Sequence, residues 1–241
     1  MTELEIHVWS DIACPWCYVG KRRLEAALAL SDRTLQVNWI WRSFELNPSA
    51  PREEPVQGRY SARLARKYGI TERDADERIA HLVETGRACG LDFNFDVIRP
   101  SNTFDAHRVL HLAKARGLQM ATKERFLRAY FTEGACLSDP DTLIRLASEA
   151  GLKAEELRVV INSDAFALQV RDDETEAREL GIHGVPFFLF ADKYAVSGAQ
   201  PVEVLQQAIE RVEQELAADA EESDVSAVVC DASGCHTALL D

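Results

Sequence analysis

Cys14 and Cys17 stand two residues apart at the border between two different periodicities. Leu4 to Trp9 alternates loosely between apolar and polar residues and predicts a strand. The residues after the pair, to about Leu30, carry helical spacing. A dithiol at a strand-to-helix junction restricts both the fold and the chemistry. Leu35 to Trp41, "LQVNWIW", predicts a second strand, so the opening unit is strand, helix, strand, of a length suited to parallel pairing through a right-handed crossover.

The thiolate, not the thiol, attacks a disulfide, so a reactive cysteine needs a place where negative charge is stabilised. The first turn of a helix is such a place, because free backbone N–H groups and the positive end of the helix dipole face the side chain there. A helix beginning near Cys14 therefore makes Cys14 the attacking thiol and Cys17 the resolving one. Pro15 suits a first turn, where its missing donor is no loss. Trp16 offers apolar surface beside the sulfur for contact with a substrate chain.

From about Arg59 to Ala150 the pattern becomes a series of helical segments. Most end in glycine, with Thr71 and Asp139-Pro140 as helix starts. Two more helical segments follow, then short strands at Phe187 to Phe190 and Tyr194 to Val196 around a turn at Ala191 to Lys193. Pro201 starts a last amphipathic helix. The order predicts an α/β domain at 1–56 and 151–216, interrupted by a helical subdomain at 57–150. An acidic, small-residue linker and tail at 217–241 carries a second cysteine pair, "CDASGC". In the loop "GIHGVPFFLF", Pro186 precedes a strand. It predicts either a trans proline at a strand edge or a cis bond that exposes the backbone of Val185 to an extended chain.

The formal charge of −13 opposes phosphate backbones and anionic lipid, so neither nucleic acid nor membrane is expected as a partner. The N-terminal stretch has no basic region followed by an apolar run, and no segment approaches a bilayer-spanning length. A cytoplasmic location is expected, where six cysteines do not serve as a disulfide scaffold. Cys89 and Cys136 are expected to be packed thiols. Cys14 and Cys17 can supply half of a tetrahedral zinc site, with Cys230, Cys235 and His236 to supply the rest, but structural zinc ribbons place their CxxC on turns. No metal is expected, and a zinc-binding interaction module is the alternative of another class. The tail pair otherwise reads as incidental, or as a second redox pair within reach of the first across the linker.

The strand-CxxC-helix unit with Val185-Pro186 before a late hairpin resembles the thioredoxin superfamily. The helical insertion between the second and third strands resembles its DsbA-like group. "SDIACPWCYVGKRRLEAAL", "SNTFDAHRVLHLAKARG" and "GIHGVPFFLF" are similar to the FrnE-type branch, cytosolic dithiol-disulfide oxidoreductases or isomerases. The resemblance implies a thioredoxin-like fold with a helical insertion, Pro186 in cis facing the dithiol, and Asn102 and His107 in the cleft. It also implies protein or small-molecule disulfides and dithiols as substrates. Related glutathione-dependent isomerases carry serine where this chain has Cys14, which favours disulfide exchange. A glutathione-dependent isomerase or transferase is the alternative within the fold. No bound cofactor is expected, since the dithiol itself is redox-active and is recycled by an external thiol reductant or oxidant.

Overall fold

A computed structural model describes residues 3–31, 36–52, 58–224, 228–231 and 234–237, with side chains as far as Leu216. Strand β1 (Glu3–Ser10) leads into helix α1 (Pro15–Ala29), and strand β2 (Gln36–Ser43) returns parallel to β1, Ile6 opposite Trp39. Leu35, expected to open this strand, lies outside the described residues. Strand β3 (Phe187–Phe190) runs antiparallel to β1, and β4 (Tyr194–Ser197) antiparallel to β3, giving the order β2-β1-β3-β4. Ala191 and Asp192 turn the hairpin at φ of 48° and 54°.

β1 is central, and its Leu4, Ile6 and Val8 are fully buried on a core shared with Leu24 and Ala27 of α1. Helix α9 (Val202–Asp224) completes that core with Leu205, Ile209 and Val212. Trp9 is buried in a separate cluster with Ala177 of helix α8 (Ala167–Glu179) and Ile182. The sequence predicts that α9 stops near Leu216 and that a linker follows. The helix instead runs on to Asp224, because "AADAEESD" holds no glycine or proline and its alanines and glutamates favour helix. The rest of that linker, 225–227, lies outside the described residues.

Between β2 and β3 the chain inserts helices α2 (Tyr60–Tyr68), α3 (Glu72–Ala88), α4 (Phe104–Ala115), α5 (Gln119–Phe131), α6 (Pro140–Glu149) and α7 (Ala154–Ile161), followed by α8. The fold is thus α/β with a helical insertion between the second and third strands, as the sequence predicts. Thr71 and Asp139 open α3 and α6, each accepting from the backbone N–H three residues on, which satisfies a donor the helix leaves free. The insertion's core gathers Phe126, Leu127, Phe131 and Leu146, and takes in Leu157 and Val160 beyond position 150. Ile12, Tyr18 and Val19 join this same core. The start of α1 is therefore held by both halves of the molecule, while its later turns pack on the sheet.

Gly20 sits inside α1 where a Cβ would lie 2.9 Å from Cγ of Pro186 and 3.1 Å from Cζ of Phe188. A glycine in a helix interior costs roughly 0.5–1 kcal/mol against alanine, so its presence reflects the close approach of α1 to that loop. Gly20→Ala is expected to lose more by overpacking than it gains in propensity, about 1 kcal/mol net. A thermal melt should show the midpoint lowered by roughly 2–4 °C.

Candidate active site

The loop after β1 turns on Asp11. Its carboxylate accepts from the N–H of Ala13 at 3.2 Å and of Leu46 at 2.8 Å, and its carbonyl accepts from Cys14 at 3.3 Å. Cys14 is the N-cap of α1 in extended conformation, Pro15 follows at the first helical position, and the first turn carries no acidic residue. The thiol of Cys14 lies 3.5 Å from the carbonyl of Val185, and the Val185-Pro186 peptide bond is cis. Cys14 is 4% exposed and Cys17 1%. Trp16 is 37% exposed, its ring 6.3 Å from that of His81. Two thiols, a proline loop and an exposed indole therefore meet where the two cores join.

Beneath the dithiol lies a charge that sequence reasoning missed. Lys123 of α5 has no exposed surface. Its ammonium donates to the carbonyl of Ser10 at 3.4 Å and lies 5.2 Å from the ring centroid of Trp41. Burial pulls its pKa down to about 8, while the negative charges of Cys17, Asp11 and Cys14 pull the other way. Burial also pushes the Cys17 thiol up, reinforced by Cys14 and opposed by Lys123. In the reduced state each group relieves the other, since a thiolate is stabilised beside an ammonium and an ammonium beside a thiolate. The signal was present in "MATKERFLRAYF", where Lys123, Phe126, Leu127 and Tyr130 fall at i, i+3, i+4 and i+7. A lysine on that stripe must be buried with the rest.

His107 is 1% exposed, with Nε2 3.5 Å from Asp11. Burial lowers the pKa of its imidazole despite Asp11, and the residue is neutral near pH 7. Burial works to raise the Asp11 carboxyl, but the nearby His107 ring and the hydrogen bonds from Leu46 and Ala13 hold it below its usual range. His107 is thus a buried support of the loop behind the dithiol. Asn102 donates its amide to the carbonyl of Ala50 at 3.0 Å and accepts from the N–H of Phe104 at 2.9 Å, so both ends of its side chain are committed to the loop that starts α4.

Cys89 packs against the helical core, and the sulfur of Cys136 lies 3.3 Å from the hydroxyl of Ser138. In the tail, strands β5 (Val228–Asp231) and β6 (Gly234–Thr237) pair antiparallel with Cys230 directly opposite Cys235. Their side chains, that of His236 and residues 232–233 lie outside the described part. Glu5, His7 and Asp192 bring ligand atoms within 4.8 Å of one another. However, Arg42 donates Nε–H to His7 Nδ1 at 3.0 Å, which leaves Nε2 as the protonated nitrogen, 2.6 Å from Glu5. No lone pair then faces the carboxylates. Among the described residues no helix is long and apolar enough to cross a membrane.

Residues 5–210 match the family model described as a DSBA-like thioredoxin domain. The chain is 40% identical to a probable DsbA oxidoreductase of Streptomyces coelicolor, whose crystal structure it matches with a TM-score of 0.81 over 97% of this chain and 98% of that one. It is 28% identical to the uncharacterized protein YwbO of Bacillus subtilis over 86% of this chain and 96% of that protein. A structure of the cytosolic disulfide reductase DsbM of Pseudomonas aeruginosa with GSH shares the fold at 18% identity, with a TM-score of 0.57 over 87% of this chain and 99% of that one.

Burial penalises the Lys123 ammonium, as its lowered pKa records, so Lys123→Met should be more stable than wild type at pH 7. Lys123 titrates at about 8 in the folded chain, against 10.5 for a lysine in water. The unfolded chain therefore binds more protons between those values, and wild-type stability rises across that window. Urea titrations should show the variant's advantage full below pH 8 and shrinking toward pH 10.5. The same variant loses the charge that favours the reduced pair. Its Cys14–Cys17 couple should become more reducing by at least about 30 mV, equivalent to about 1.4 kcal/mol for two electrons, as read in thiol redox buffers.

Proposed function

The chain belongs to the family of DSBA-like thioredoxin domains, and on that premise we propose that it is a thiol-disulfide oxidoreductase acting through Cys14 and Cys17 on protein or small-molecule disulfides. The observation that carries this reading is the position of Cys14, at the N-cap of α1 with its sulfur 3.5 Å from the carbonyl of Val185. The thiolate of Cys14 attacks one sulfur of a substrate disulfide. The substrate S–S bond breaks, a mixed disulfide forms on Cys14, and the first substrate thiolate leaves. Cys17 then gives up its proton and attacks Cys14 Sγ, which releases the second substrate thiolate and closes the Cys14–Cys17 disulfide. The substrate has gained two electrons and the protein has lost two, to be restored by an external dithiol. Run backwards, the same steps oxidise a dithiol.

Each element of the site has a part in this sequence. Helix α1 favours the attacking thiolate, and Val185 and Pro186 present backbone to an extended substrate segment. Trp16 gives apolar contact, and Lys123 eases loss of the Cys17 proton that burial opposes. Within the family we place the chain in the FrnE-type branch, on the three segments that carry the resemblance. A cytosolic setting, in which a thiol pool recycles the dithiol, accords with cysteines of which only two pairs are close in sequence.

We further propose that Cys230 and Cys235 form a second redox pair. Directly opposed residues of an antiparallel pair have Cα atoms roughly 4.5–5.5 Å apart, inside the span a disulfide accepts. Mass-spectrometric mapping of alkylated protein, before and after mild reduction, should find the Cys230–Cys235 disulfide. Persistent free thiols at both positions would overturn this part.

Insulin-disulfide reduction by wild type should fall to background in Cys14→Ser. In Cys17→Ser the first exchange proceeds but the intermediate persists, so non-reducing gels should show a covalent substrate adduct that a Cys14→Ser, Cys17→Ser double variant lacks. Equal activity of wild type and Cys14→Ser would refute the proposed function. Glutathione-dependent turnover of a small electrophile that survives Cys14→Ser would point to the isomerase reading instead.

A further inference from the structure

Beside Cys14 the surface opens into a cavity of about 560 Å³, whose lining includes Asp11 and Ala13 from the loop before the cysteine and Tyr60, Arg63, Arg66 and Lys67 from α2. Tyr60 ties the cavity to the nucleophile. Burial, helped by Tyr68, pushes its phenol up to about 12, and the charge of Cys14 acts in the same direction against Arg63. The cavity is therefore within electrostatic reach of the sulfur that reacts.

The charge in this cavity runs against the character of the chain. The protein carries 40 acidic and 27 basic residues, and its arginines are commonly paired, as Arg22, Arg42, Arg116, Arg125 and Arg171 are. Arg63 is different. Its guanidinium donates to the carbonyls of Gly58 at 3.0 Å and Ile98 at 3.2 Å and lies 5.4 Å from the ring centroid of Tyr60. Carbonyl bonds fix its position without cancelling its charge. Arg66 and Lys67 are exposed and, among the described residues, form no ion pair. Lys67 places its ammonium 5.6 Å from the Tyr68 ring centroid. The acidic side chain Asp11 is 1% exposed and spent on Ala13, Leu46 and His107. Three cations thus meet one cavity beside the nucleophile, against one described carboxylate in the lining, that of the buried Asp11.

We infer that this cavity receives carboxylate groups of the substrate, held within a residue or two of the disulfide that Cys14 attacks. The enzyme would then prefer acidic disulfides. The inference rests on the oxidoreductase reading and names its substrate class. The bonds exchanged are those already given, and the carboxylates remain chemically unchanged. Arg63, pinned by two carbonyls, is the fixed point of recognition, and Arg66 and Lys67 steer and hold from the rim, where screening by salt is strongest.

The test uses two peptides that differ only in carrying Glu or Gln on both sides of one cysteine, each joined in a mixed disulfide to 2-thiopyridine, so that the leaving group is the same. Wild type should reduce the Glu peptide with a kcat/KM roughly fivefold or more above that of the Gln peptide at low salt, as two or three partly exposed ion pairs allow. Half-molar salt should compress the ratio. In an Arg66→Gln, Lys67→Gln double variant the ratio should approach one. A wild-type ratio near one, or a ratio the double variant leaves unmoved, overturns the inference. Oxidised glutathione is run alongside. A loss on both acidic substrates assigns the cavity to carboxylates in general, a loss on the Glu peptide alone assigns it to peptide carboxylates, and a loss on oxidised glutathione alone leaves the peptide ratio unmoved and overturns the inference. Failure of the oxidoreductase reading has a separate signature, no turnover of either peptide by wild type. Anisotropy binding of the same peptides, without the thiopyridine, to Cys14→Ser protein keeps the cavity testable in that case. The Glu peptide should bind more tightly than the Gln peptide, and equal affinities overturn the inference whatever the turnover result.

Discussion

The site depends on the pairing of β1 with β3. Trp9 lies opposite Phe187 in the antiparallel register, so the C-terminal end of β1 and the N-terminal end of β3 share one edge of the sheet. Five residues beyond Trp9 is Cys14, and one residue before Phe187 is Pro186. A sequence separation of 171 residues thereby becomes a 3.5 Å contact between Cys14 and Val185. The long insertion lies between them in sequence, but the ladder makes its length irrelevant to their spacing. The apolar face of Leu4, Ile6 and Val8 holds that register, because a slip of one residue would turn all three away from their core.

On this frame the insertion supplies what the sheet domain lacks. Burial acts on Cys17 and Lys123 with opposite sign, suppressing the thiolate of one and the ammonium of the other. Neither is comfortable alone in a medium of low polarity. Enclosed together, each opposes the penalty that burial places on the other, although burial still holds the Cys17 thiol up and the Lys123 amine down. Closing the disulfide removes both titratable thiols and leaves Lys123 with Asp11 as its remaining acidic neighbour. The environment of the dithiol is therefore shaped partly by a side chain from α5, well outside the strand-CxxC-helix unit that carries the two cysteines.

Much of this was legible in the sequence, and the missing parts have identifiable causes. The CxxC between two periodicities, the glycine-terminated helices and the late hairpin gave the architecture, because each is a local signal. The end of α9 was misplaced since an acidic, alanine-rich run reads equally as linker or as helix. Lys123 escaped because a lysine in a helix is ordinarily solvated, and only its place on an apolar stripe argued otherwise. The commitment of Asn102 to Ala50 and Phe104, and of His107 to Asp11, could not be read at all. Phe104 is a local partner, two residues on, but Ala50 and Asp11 are distant in the chain, and no periodicity reports them.

Helix α2 packs mainly on α3 rather than on the sheet, and its cations touch neither the strand ladder nor the buried charge below the dithiol. On the proposed reading, electron transfer and choice of partner fall to separate pieces of chain. A lineage can lengthen, recharge or replace α2 and so acquire a new clientele, while the strand register and the Lys123 contact keep the same thiol chemistry underneath.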